Sequence, residues 1–146
     1  MSKKLDVHLQ AIIKLEMQMI QLTRAEEQIM QILWTLQEST VQDIRERFDA
    51  PRPARTTIAS VLNILENKGF ATHKSFGRVN VYYPAVAKNE YSKTQLFGVI
   101  KNYFDNSLPS MVSFFAKEKN LSMEELDELL EETRKELREE QKQKQL

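Results

Sequence analysis

The chain has 146 residues, 41% hydrophobic and 29% charged, and its 21 Lys and Arg balance its 21 Asp and Glu to a formal net charge of zero. That composition allows one modest core plus an appendage and does not force disorder. It holds no cysteine, which excludes a thiolate nucleophile and a thiolate copper site; with no cleavable signal pattern and no apolar run near the roughly 20 residues of a membrane span, a cytoplasmic protein with no membrane partner is expected.

In chain order, residues 1–21 read as an N-terminal helical extension, with Leu5, Leu9 and Ile12 at amphipathic spacing. Residues 22–86 read as one domain. Its first helix spans Thr23 to Leu36, with Ala25, Ile29, Leu33 and Leu36 in register, Thr23 and Glu26 at capping-box spacing, and Trp34 as a core anchor. A second, shorter helix runs from Thr40 to Phe48, with Thr40 as N-cap and Val41, Ile44 and Phe48 turned inward.

Pro53, between Arg52 and Arg55, keeps the chain out of helical geometry up to Ala54. The helix that follows puts Ile58, Val61, Leu62 and Leu65 on one face, at i, i+3, i+4 and i+7. Opposite them lie Thr56, Ser60, Asn63 and Asn67, all short, uncharged and able to donate and accept hydrogen bonds. These are mediocre helix formers, so a merely solvated face has little reason to prefer them, whereas a face that must approach base edges closely does. Two cations at the helix start oppose its dipole, and a DNA phosphate would relieve that conflict.

Lys68-Gly69 reads as the C-cap. Two strands follow, about Phe70 to Ser75 and Val79 to Tyr83, joined at Phe76-Gly77-Arg78 and closed by Pro84. Helix, short helix, Pro-containing turn, polar-faced helix and basic hairpin together spell a winged helix-turn-helix. The fold class expected is mainly α with a small β-hairpin wing, followed by a helical dimerisation region.

That region, residues 87–140, carries three apolar stripes at helical spacing. One runs through Leu96, Phe97, Ile100, Tyr103 and Phe104, another through Leu108, Met111, Val112 and Phe115, and the last through Leu126, Leu129, Leu130 and Leu137. A small winged-helix core cannot satisfy all of them, so a second copy of the chain is the natural cover and a homodimer is expected. Ser122 to Glu125 repeats the capping-box pattern, and residues 141–146 read as a frayed tail. Charge is segregated: from Ala50 to Tyr83 five cations face one acid (5 − 1 = +4), whereas from Lys117 to Leu146 seven cations face ten acids (7 − 10 = −3). A polyanion would therefore meet the first part and not the last.

The segments LTRAEEQIMQILW, TTIASVLNILENKGF and GRVNVYYP resemble the penicillinase and methicillinase repressor family (BlaI/MecI type), over roughly Leu22 to Leu130. The resemblance implies a winged-helix repressor that binds a dyad-symmetric operator as a homodimer through C-terminal helices, with antibiotic-resistance genes among the regulated class and an inactivating protease as a partner. Two departures stand out. The family's Asn-Phe cleavage bond corresponds here to Phe114-Phe115, and the cysteine cluster of copper-responsive relatives is absent.

An enzyme is not indicated. His8 and His73 fall on different elements, three glycines leave no phosphate loop, and no carboxylates have metal spacing, so neither cofactor nor metal is expected. The sequence therefore points to a transcriptional repressor whose partner is double-stranded operator DNA. Arg52, Arg55, Thr56, Thr57, Ser60, Asn63, Lys74 and Arg78 are the candidate DNA-binding residues. A different class, a winged-helix protein-interaction module whose polar stripe meets a protein, would use the same scaffold.

Overall fold

Among residues 21–145, which the computed structural model describes, the elements are α1 (Arg24–Leu36), α2 (Val41–Glu46), α3 (Arg55–Asn67), β1 (Ala71–Phe76), β2 (Val79–Pro84), α4 (Lys88–Tyr103), α5 (Leu108–Glu118) and α6 (Met123–Lys144). Apart from Gln21, the expected N-terminal extension and its His8 lie outside the described residues. The fold is mainly α with one antiparallel hairpin, the class the sequence implies. Residues to Leu96 form one compact unit and those from Phe97 another, the division falling inside α4.

Cap chemistry sets the helix starts in the first unit. Thr23 Oγ1 accepts from the Glu26 amide while the Glu26 carboxylate accepts from the Thr23 amide, a reciprocal capping box. Thr40 and Asp43 repeat it at α2. That helix ends at Glu46, earlier than the sequence suggests, yet Phe48 still packs against the core. At the end of α3, Gly69 takes φ 83°, and the Phe70 and Gly69 amides donate to Leu65 O and Glu66 O at 2.9 and 3.0 Å. This is the Schellman arrangement, and it turns the chain directly into β1.

The core of this unit joins Ile29, Met30, Leu33 and Trp34 of α1, Ile44 of α2, Ile58, Leu62 and Leu65 of α3, Phe70 and Tyr82. Fully enclosed side chains such as Leu33, Leu62 and Leu65 each contribute about 1.5–3 kcal/mol by leaving water. The Trp34 indole donates to Val86 O at 2.8 Å, and the Tyr91 ring lies 5.6 Å from Trp34 and 5.7 Å, edge-on, from Phe70. The start of α4 is thereby fixed to this core.

The inner face of α1 differs from the register read in the sequence. Ala25 is exposed and Leu36 only half-buried, while Glu26 stands in the buried stripe with Ile29, Met30 and Leu33. A carboxylate is tolerated there because Lys68 Nζ, at the end of α3, lies 2.7 Å from Glu26 Oε2. Burial pushes the Glu26 carboxyl up, but hydrogen bonds from Lys68 and from the Thr23 amide, with the Lys68 charge, outweigh it and hold the group below its ordinary value.

In β1–β2 the register runs from Ala71↔Pro84 to Phe76↔Val79, leaving Gly77-Arg78 as a two-residue turn. Gly77 has φ 64° at the first turn position, where type II′ hairpins favour glycine. Ser39, between α1 and α2, forms a single antiparallel bridge to Tyr82, with amide–carbonyl distances of 3.1 and 2.8 Å. The hairpin is so tied to the helical layer.

In the second unit, α5 is capped by Ser107, whose Oγ accepts from the Ser110 amide at 3.2 Å. At the head of α6, Ser122 Oγ accepts from the Glu125 amide at 3.0 Å and donates to the Glu125 carboxylate at 3.2 Å. The carboxylate thus meets the hydroxyl, where a full capping box would have it take the backbone amide. Phe104 and Phe114 rings pack at 5.4 Å, and α6 continues as helix to Lys144.

Candidate nucleic-acid interface

The turn before α3 is built around two arginines. Arg45 Nε donates to Pro53 O and Arg52 Nε to Phe48 O, each at 3.0 Å, which shapes the approach to the helix while the Arg52 side chain stays exposed. Arg55 is the first helical residue. Ala54, the N-cap, makes no side-chain cap bond, and the first turn carries no acid. The first-turn amides and the Arg55 guanidinium therefore present positive potential with no anion from the helix itself.

Thr56, Thr57, Ser60, Asn63 and Asn67 are all exposed on α3, opposite buried Ile58, Leu62 and Leu65. Ser60 Oγ donates to Thr56 O at 2.9 Å, so its outward capacity is that of an acceptor. The Thr57 and Asn63 side chains make no hydrogen bond to other described residues, leaving an amide and a hydroxyl free for an external partner. Ile64, which the sequence reading passed over, is exposed on this same side. Its phase was legible; attention to polar residue types alone hid it.

The wing is held to α3 by a direct link. Glu66 Oε1 and Oε2 lie 2.7 and 2.8 Å from His73 Nδ1, so that ring nitrogen donates. Lys74 sits with Nζ 5.6 Å above the Tyr83 ring, and Ser75 Oγ donates to Asn80 Oδ1 at 2.7 Å. At the tip, Arg78 is exposed beside the exposed cross-strand pair Phe76 and Val79.

Two local charges counted in the sequence are already engaged, Lys68 with Glu26 and Glu66 with His73. Arg52, Arg55, Lys74 and Arg78 remain, making four exposed cations around an acid-free polar face. All eight candidate DNA-binding residues lie, exposed, on the turn before α3, on α3 and on the wing, three consecutive segments of the first unit.

Of the candidate dimerisation residues, Phe97, Leu108, Val112, Phe115, Leu129 and Leu130 are exposed, whereas Phe104, Met111 and Leu126 are half-buried. Ile100 is buried within the chain, so it supports the helix and offers no free surface. Tyr103 of the first stripe and Phe114 of the Phe114-Phe115 bond are also exposed, as is Met123, which the stripes did not include. An open groove between α5 and α6 is lined by Val112, Ala116, Leu121, Met123 and Leu126. Among the described residues no cluster of His, Asp and Glu is placed to hold a metal ion, and no helix is long and apolar enough to cross a membrane.

The model of the penicillinase repressor family matches residues 22–135. The penicillinase repressor of Bacillus licheniformis is 30% identical over 110 residues, covering 75% of this chain and 86% of that one. The methicillin resistance regulatory protein MecI of Mammaliicoccus sciuri is 24% identical over 110 residues, covering 75% and 89%. Among solved structures, the adhesin competence repressor AdcR of Streptococcus pyogenes aligns at 21% identity over 95% of this chain and 96% of that one, with a TM-score of 0.41, a likeness too loose to bear on function.

Proposed function

The chain belongs to the penicillinase repressor family, and from that premise we propose that it is a transcriptional repressor that binds a specific operator of dyad symmetry as a homodimer. The observation that carries the proposal is the α3 face. Thr57 and Asn63 carry side-chain groups without a hydrogen-bond partner among the described residues, Ser60 keeps its lone pairs, and the preceding turn, the helix start and the wing add the exposed cations Arg52, Arg55, Lys74 and Arg78 with no free acid.

In this reading α3 lies in the major groove. Thr56, Thr57, Ser60 and Asn63 meet base edges and nearby phosphates, with Asn63 suited to adenine and the acceptor side of Ser60 suited to an exocyclic amine. Arg52 and Arg55 neutralise phosphates at the helix start, while Lys74 and Arg78 carry the wing along the backbone toward the minor groove. The Glu66–His73 link keeps wing and helix at a fixed angle, so both engage one register of the duplex.

Repression then follows from occupancy of promoter DNA and needs no chemical step. The apolar residues of α4 to α6 are covered by a second copy, which spaces two α3 helices for the two half-sites. Cleavage at the family's position would here have to act on Phe114-Phe115 in place of an Asn-Phe bond, and would detach the end of α5 and all of α6 from the rest of the chain.

The test is binding of the purified protein to a labelled duplex from upstream of its own gene, competed with random DNA, across about 50 to 200 mM salt. Tight, competition-resistant binding with a steep salt slope is the expected result. Absence of binding to that duplex and to random DNA at low salt would overturn the proposal and favour a protein partner for the α3 face.

A further inference from the structure

We infer that Ile64 reads a thymine methyl group, so that one base pair in each half-site is chosen by an apolar contact. The inference rests on α3 being the recognition helix and deepens that reading. Ile64 is 44% exposed, the one large apolar side chain to be so on α3. At about 100° per residue it lies about 20° from Thr57 and about 40° from Ser60 around the helix axis, inside the polar stripe. Ile58, Leu62 and Leu65 face the core from the other side.

Ile64 contributes little to the core, and an exposed β-branched residue is no better than neutral for the helix. Its chemistry is narrow: it has no donor or acceptor, so it cannot contact phosphate oxygens or the hydrogen-bonding edges of bases. In the major groove, thymine is the base that presents a methyl group. The neighbours fit a thymine-containing step. One turn back, Ser60 has its hydroxyl proton committed to Thr56 O and offers lone pairs, which suit the exocyclic amine of adenine; about 100° round the axis, on the far edge of the polar stripe, Asn63 has a free amide.

The experiment begins with duplexes enriched from a random pool by the wild-type dimer. Each thymine of the enriched site is then replaced in turn by deoxyuridine, which removes the methyl and nothing else. We expect one position per half-site at which the replacement weakens wild-type binding about three- to fivefold. Ile64→Ala should bind the thymine and uracil duplexes equally, near the level of wild type on uracil. Its salt slope should match wild type, because no phosphate contact is lost. Alanine favours the helix and Ile64 is not enclosed, so the variant keeps the fold, with circular dichroism as the check.

If no thymine is sensitive in an enriched site, or if Ile64→Ala retains the same sensitivity, the inference is overturned while the repressor reading stands. If the wild type enriches no sequence, both fall. Restored methyl discrimination in Ile64→Val, which keeps a branched apolar tip, would support the direct contact.

Discussion

Glu26 shows what a hydrophobic pattern leaves out at the scale of one residue. Its capping role was legible from its spacing to Thr23, but its burial was not, because the partner that permits it, Lys68, is 42 residues away. Lys68→Met should destabilise the fold by about 3 kcal/mol at neutral pH, since the carboxylate stays buried without its cation. The wild-type carboxyl is held below its unfolded value of about 4.3. Such a group stabilises the fold above that pH, and the contribution is lost as pH falls through the folded value. In the variant the Lys68 hydrogen bond and charge are gone and burial is opposed by the Thr23 hydrogen bonds alone, so the group titrates higher than in the wild type, and the gap between the two proteins should shrink as pH falls from 7 through the carboxylate range in urea melts. An unchanged gap would deny the pair this role. On the exposed side, Asn63→Ala should erode discrimination at one base pair by about 1 to 3 kcal/mol, measured by competition with single-base operator variants. Unaltered preference would remove Asn63 from the reading set.

Elements were more legible than their partners. Thr23, Thr40 and Gly69 mark helix ends through hydrogen-bond chemistry confined to a few neighbouring residues, and Gly77 marks the hairpin for the same reason. The bridge from Ser39 to Tyr82 left no such signal, because one long-range residue pair has no period to detect. The wing follows a similar rule: strands and basic residues could be read, but the Glu66–His73 link that fixes its angle to α3 could not. For the wing itself, Arg78→Ala should weaken binding to all sequences alike and reduce the salt slope by about one counterion. Salt-dependent titrations on operator and random duplexes check this, and a loss confined to the operator would place Arg78 on a base instead. The distinction separates the wing's work from that of α3, where substitutions should alter preference more than slope.

Across the whole molecule, the first unit encloses its core, whereas α5 and α6 leave Leu108, Phe114, Phe115, Leu129 and Leu130 uncovered. The amphipathic pattern made these helices legible; it could not say which apolar residues the chain covers for itself, and Ile100 proved to be one of them. Leu129→Asp combined with Phe115→Asp should halve the mass in light scattering and lower operator affinity at least about tenfold, because two linked half-site contacts act at high effective concentration. A persisting dimer would assign the cover to other residues. Trp34, the single tryptophan of the chain, is enclosed in the first unit with its indole bonded to Val86 O. Tryptophan emission, excited where tyrosine does not absorb, therefore reports on the part that carries α3 and not on the part that carries α5 and α6, whose only Trp or Tyr is Tyr103. It follows the loosening of the first unit, while far-ultraviolet ellipticity, weighted by the long α6, follows helix throughout. Any separation between the two melting curves measures how far the units unfold independently.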